Sequence, residues 1–133
     1  MTTIFVDSFY LLALFNGRDA AHEQAVAASK HLREDLVSTD WVLVETADAL
    51  CTPVNRRRCA LFVDDLRRSA HFEIEPASRE LFDAGWELYK SRPDKEWSLT
   101  DCFSIVIMQN RGIADALTGN HHFEQAGFRA LLK

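Results

Sequence analysis

Apolar residues change their spacing several times along the chain, and each change marks an element. Ile4-Phe5-Val6, led in by Thr3, is an unbroken β-prone run and predicts a strand buried on both faces. Asp7 and Ser8 follow, and either suits a helix N-cap. Residues 9–15 then stay apolar until Asn16-Gly17, a C-terminal stop signal. A second helix is predicted over 19–33, with Ala21, Ala25, Ala28 and Leu32 on one side. Leu36-Val37-Ser38 predicts the second strand. Thr39 and Asp40 offer caps for a helix over 41–50, ended by Pro53. Residues 55–69 read as a helix that turns Leu61, Phe62 and Leu66 inward and its arginines elsewhere.

The second half continues the alternation. Phe72-Glu73-Ile74-Glu75 switches between apolar and acidic, which suits a strand with one wet face near a sheet edge. Pro76-Ala77-Ser78 opens a helix whose stripe is Leu81, Phe82, Gly85, Leu88 and Tyr89. A charged loop over 91–97 leads to a strongly apolar helix from Ser98 to Arg111, closed by Gly112. Ala116-Leu117-Thr118 predicts a short buried strand, 121–126 a helical turn, and 128–131 a last strand. Strands alternating with helices predict an α/β fold with a mainly parallel sheet. In such sheets ligands bind beyond the carboxyl ends of the strands, where strand order reverses.

Composition narrows the class. A length of 133 residues, 47% apolar and 26% charged, predicts one ordinary folded domain over 1–133. Cys51, Cys59 and Cys102 cannot all pair and form no C-x-x-C, so neither a disulfide framework nor a zinc ribbon is indicated. A reducing, cytoplasmic location is the expectation. The apolar run over 9–15 has Asp7 and no lysine or arginine before it, unlike a signal peptide, and is far too short to span a membrane. The net charge of −5 excludes a protein that grips nucleic acid over its whole surface. It leaves room for a local basic face, since residues 56–68 hold five arginines against two aspartates.

Three carboxylates satisfy the positional rule for parallel sheets. Asp7 follows the first strand, Glu45 lies in the first turns of the helix after the second, and Asp101 lies in the first turn of the helix from Ser98. Asn120 follows the late strand that ends at Thr118. Each has a structural alternative: Asp7 and Asn120 as caps, Asp101 as half of a Ser98–Asp101 capping box, Glu45 as a wet rim residue. Brought together, carboxylates about 4 Å apart repel by about 4 kcal/mol per pair at an effective dielectric near 20. None has a lysine or arginine beside it in sequence. A hard cation such as Mg²⁺ or Mn²⁺ would resolve that repulsion, taking one or two carboxylates, water and phosphate oxygens.

At these residues the sequence resembles the PIN-domain family and, within it, the VapC-like toxin ribonucleases. The likeness rests on Ile4-Phe5-Val6-Asp7-Ser8, Val44-Glu45-Thr46, Ser98-Leu99-Thr100-Asp101-Cys102 and Ala116-Leu117-Thr118-Gly119-Asn120-His121-His122-Phe123, in order over nearly the whole chain. The resemblance implies a three-layer α/β/α domain with a five-stranded, mainly parallel sheet. It implies a Mg²⁺- or Mn²⁺-dependent endoribonuclease whose metal-binding carboxylates are Asp7, Glu45 and Asp101, with Thr118 and Asn120 completing the catalytic set. An RNA substrate, an antitoxin partner and a homodimer come with it. The family commonly has an aspartate where this chain has Asn120, which puts a second metal ion in question.

Other features point less far. Arg56, Arg57 and Arg58 are candidate phosphate contacts, or else a solvated helix face or a surface for an acidic partner. Trp97, in the charged loop, is the tryptophan best placed in sequence to stack on a base, and Trp86 reads as packing. His121 and His122 lie near enough to Asn120 to reach a substrate or act as an acid, or are simple loop or cap positions. A haloacid-dehalogenase-like phosphatase would need an aspartate at Phe9, and a phospho-receiver domain a lysine after a late strand. The competing function is a PIN-like module that binds RNA or protein but cleaves weakly because of Asn120.

Overall fold

The computed structural model describes residues 2–133. Strand β1 (Thr3–Val6) leads into α1 (Ser8–Phe15) and α2 (His22–His31), then β2 (Asp35–Thr39), α3 (Asp40–Ala49), α4 (Pro53–Arg68) and β3 (Phe72–Glu75). The chain continues through α5 (Arg79–Ser91), α6 (Leu99–Arg111), β4 (Asp115–Leu117), α7 (His121–Gln125) and β5 (Arg129–Ala130). The five strands form one sheet in the order β3-β2-β1-β4-β5, every pairing parallel, between helical layers. This is the expected α/β/α architecture, with β3 at an edge as its alternating pattern required.

Central β1 buries Ile4, Phe5 and Val6, which is why that run carries no polar residue. Phe5, Leu11, Val42, Met108, Leu117 and Phe123 are fully buried around it, each large side chain contributing about 2–3 kcal/mol on transfer from water. Helix α6 is buried from Asp101 to Met108 and packs on α5 and α3. The α5 contact is close because residue 85 is glycine: a Cβ there would lie 2.1 Å from the Phe103 ring. The Phe103 ring in turn lies tilted at 4.1 Å from Trp41 and 5.5 Å from Phe82.

Four expectations change. Pro53 begins α4 instead of ending α3, because proline at the first helical position gives up an N–H that has no partner there anyway. Helix α2 begins at His22, since the Asp19 carboxylate accepts from the Ala21 N–H at 2.8 Å and holds the preceding residues in a turn. Leu61 is 58% exposed, while Cys59, Phe62 and Leu66 of α4 face the core. Trp86 and Tyr89 lie on the outer side of α5, stacked on each other at 5.3 Å instead of packing inward.

Candidate active site

Strand order reverses beside β1: β2 and β3 extend the sheet one way, β4 and β5 the other. Asp7 leaves the carboxyl end of β1 and Thr118 that of β4, so the reversal places them side by side. The Thr118 hydroxyl donates to Asp7 Oδ2 at 2.8 Å in a buried contact. The Asn120 N–H donates to the same Thr118 oxygen at 3.0 Å. That bond uses Oγ1 as an acceptor and leaves its proton for Asp7. Asp7 occupies the N-cap position of α1 but makes no side-chain cap bond, and its carboxylate lines the cleft.

Asp101 does both jobs. It forms the capping box, with its N–H donating to Ser98 Oγ at 3.0 Å and its Oδ2 accepting from the Ser98 N–H at 3.1 Å. The same Oδ2 accepts from His122 Nδ1 at 2.9 Å. Glu45 is half-buried on α3, and its Oε1 accepts from the Ser8 hydroxyl. Asn120 caps α7, its Oδ1 accepting from the His122 N–H at 3.0 Å.

These side chains share one cleft of about 360 Å³. Asp7, Glu45, Asp101 and Asn120 line it with Ser8 and His122, and Phe9 and Leu12 of α1 supply an apolar wall. Burial raises the Asp7 pKa from 3.8 to about 7; the Thr118 hydrogen bond opposes that rise, and the charges of Asp101 and Glu45 add to it. Among the described residues no lysine or arginine forms an ion pair with any of the three carboxylates, and His122 is the one basic partner, on Asp101. Nor does any group of three His, Cys, Asp or Glu among the described residues come close enough to enclose an ion on side chains alone. The donor set fits a hard ion that takes one or two carboxylates and completes its shell with water.

The sequence candidates therefore divide. Asp7, Glu45, Asp101 and Asn120 meet in the cleft, and Thr118 stands wholly buried behind Asp7. Arg56, Arg57 and Arg58 lie on the exposed side of α4 and do not line the cleft. Trp97 is 7% exposed, its Nε1 donating to Gln125 Oε1 at 3.1 Å, so it is packed where a base-stacking role needs a free face. Two cleft residues have contacts there that the sequence does not assign. Ser8 reads only as a cap, and His122 is signalled only by its nearness to Asn120.

The matched family model is that of the PIN domain, over residues 4–129. The chain belongs to the PIN-domain family. Among PIN relatives, the 23S rRNA-specific endonuclease VapC20 of Mycobacterium tuberculosis is 30% identical over 128 residues, covering 94% of this chain and 95% of VapC20. The crystal structure of M. tuberculosis VapC20, described as a Sarcin-Ricin loop cleaving toxin, superposes with a TM-score of 0.87 at 28% identity, covering 94% of this chain and 95% of that one. FitAcB from Neisseria gonorrhoeae shares the fold, with a TM-score of 0.70 at 16% identity over 96% of this chain and 95% of that chain.

Proposed function

We propose that this PIN domain, taken as one unit over residues 1–133, is an endoribonuclease that hydrolyses RNA phosphodiester bonds. On this reading it uses Mg²⁺ or Mn²⁺, acts in the cytoplasm as the toxin of a toxin–antitoxin pair, and forms a homodimer. One observation carries the proposal: three carboxylates from separate elements line one cleft at the sheet's switch point, with no lysine or arginine paired to them among the described residues. The likeness to an rRNA endonuclease over nearly the full length of both chains supports RNA as the substrate.

Asp7 and Asp101 are the residues that would hold the ion, with Glu45 beside them. A bound divalent ion supplies Lewis acidity at the phosphate and lowers the pKa of a water. Thr118 and the Asn120 N–H keep Asp7 aimed at the cleft. Ser8 anchors Glu45 through Oε1, so Oε2 remains to orient the attacking water and receive its proton. His122 donates from Nδ1 to Asp101, because an ionised carboxylate only accepts, and this fixes the rotation of that side chain. With its Oδ1 engaged on the His122 N–H, Asn120 has its amide NH₂ left to donate to a phosphate oxygen. A passive binding module gains nothing from a buried Asp7 whose charged form is disfavoured, whereas a bound cation puts that charge to use.

The test is RNA cleavage by purified protein in Mn²⁺. Asp7→Asn and Asp101→Asn are each expected to lower the rate by about 100-fold or more, and EDTA to abolish it. Rates within a few-fold of wild type in both variants overturn the assignment.

A further inference from the structure

We infer that a recess adjoining the cleft is a phosphate-binding subsite for the RNA strand, built on Arg18 and Arg58; the inference rests on the nuclease reading above. The recess, of about 360 Å³, lies where the ends of α1 and α3 meet the start of α4. Asn16, Arg18, Asn55 and Arg58 supply its polar lining, against Phe15 and Leu50.

It prolongs the cleft along two shared walls. On α1, Leu12 faces the cleft and Phe15 the recess; on the α3 side, Glu45 faces the cleft and Leu50 the recess. From Ser8 to Phe15 the helix rises roughly 10 Å. A strand with its scissile phosphate at Asp7 can therefore lay a flanking phosphate in the recess.

The recess has the charge the cleft lacks. Both arginines are exposed, and neither pairs with a carboxylate among the described residues. Arg58 is nonetheless held in place: its guanidinium lies 4.4 Å over the Phe15 ring and donates to the Phe15 carbonyl at 3.4 Å. Stacking uses the face of the guanidinium and leaves edge donors for an anion. The Arg18 N–H donates to Asn16 Oδ1 at 3.0 Å, which shapes the turn that presents Arg18. Asn55 belongs to the first turn of α4, so the positive end of that helix borders the same recess. A chain of net charge −5 with an acidic cleft repels a polyanion unless a nearby cationic group holds it. Arg56 lines a different recess together with Asp48 and Asp64, so of the two it is Arg58 that serves the strand.

The test compares wild type with Arg18→Gln, Arg58→Gln, the double variant, Arg58→Lys, and Arg67→Gln at the far end of α4. Cleavage in Mn²⁺ is measured on a long single-stranded RNA and on an oligonucleotide too short to leave the cleft, and RNA binding is measured against salt in EDTA. Each glutamine at 18 or 58 is expected to raise KM for the long RNA about 10-fold, with kcat within about two-fold, and to flatten the salt slope by about 0.7. The short oligonucleotide and Arg67→Gln are expected to show no change, and Arg58→Lys to keep the slope. Unaltered KM and slope in a double variant whose parent cleaves RNA overturn the inference alone. An equal loss on the short oligonucleotide also overturns it, since the arginines would then act through the cleft. A wild-type protein that neither cleaves nor binds RNA removes the nuclease reading and this inference with it.

Discussion

Burial raises the Asp7 pKa to about 7, the Thr118 hydroxyl pulls it back, and Asp101 and Glu45 push it further up. The folded protein then binds this proton more tightly than the unfolded chain, whose carboxyl titrates near 3.8. Asp7 therefore loses stabilising effect as pH rises from about 4 through 7. Asp7→Asn removes the ionisation while keeping an acceptor for Thr118. In EDTA at pH 8 this variant is expected to be more stable than wild type by roughly 2–4 kcal/mol, with a smaller gain at pH 5, read by urea denaturation. The substitution expected to cripple cleavage is thus also expected to strengthen the fold. Thr118→Val should lower cleavage by about 10–100-fold in Mn²⁺ assays, by freeing Asp7 to turn and leaving the Asn120 N–H without its acceptor. The carboxylates are legible from sequence because a charge after a buried strand needs a reason. Ser8 and His122 are not, because a cap and a loop histidine account for them equally well until Glu45 and Asp101 are seen beside them.

At the scale of elements, the α5–α6 contact is limited by Gly85. Gly85→Ala forces a methyl into the Phe103 ring, which Trp41 and Phe82 hold from other sides. We expect a loss of about 1–3 kcal/mol in thermal or urea unfolding, despite the gain in helix propensity. The strands and most helices are legible because their spacing is governed by the core they share. Misreadings fall where one local signal permits two meanings. Pro53 ends one helix or starts the next; α3 already stops at Ala49, and Pro53 takes the first position of α4. Leu61 sits one step from Phe62, and a rotation of about 100° per residue separates an inward from an outward side chain. Trp97 lies in a charged loop yet is packed against Ala126 and Phe128 and donates to Gln125, a long-range outcome that neighbouring residues do not announce.

For the whole molecule, cation binding and folding should be linked through the cleft. A cation at one hundred times its dissociation constant stabilises the folded state by about 2.7 kcal/mol. Wild-type protein is expected to melt several degrees higher in saturating Mn²⁺ than in EDTA, and Asp7→Asn and Asp101→Asn to show no such difference, by differential scanning calorimetry. The pairing of β1 with β4 has a further consequence. It aligns Phe5 with Ala116 and Val6 with Leu117, so the cleft is closed by segments from opposite ends of the chain. During translation Asp7 and Glu45 leave the ribosome early and can meet through the β1–β2 pairing, but the β4 side of the cleft, with Thr118 and Asn120, emerges last of its walls. A polypeptide cut short before Thr118 is therefore expected to leave Asp7 without its hydroxyl partner and the proposed hydrolytic cleft open on one side.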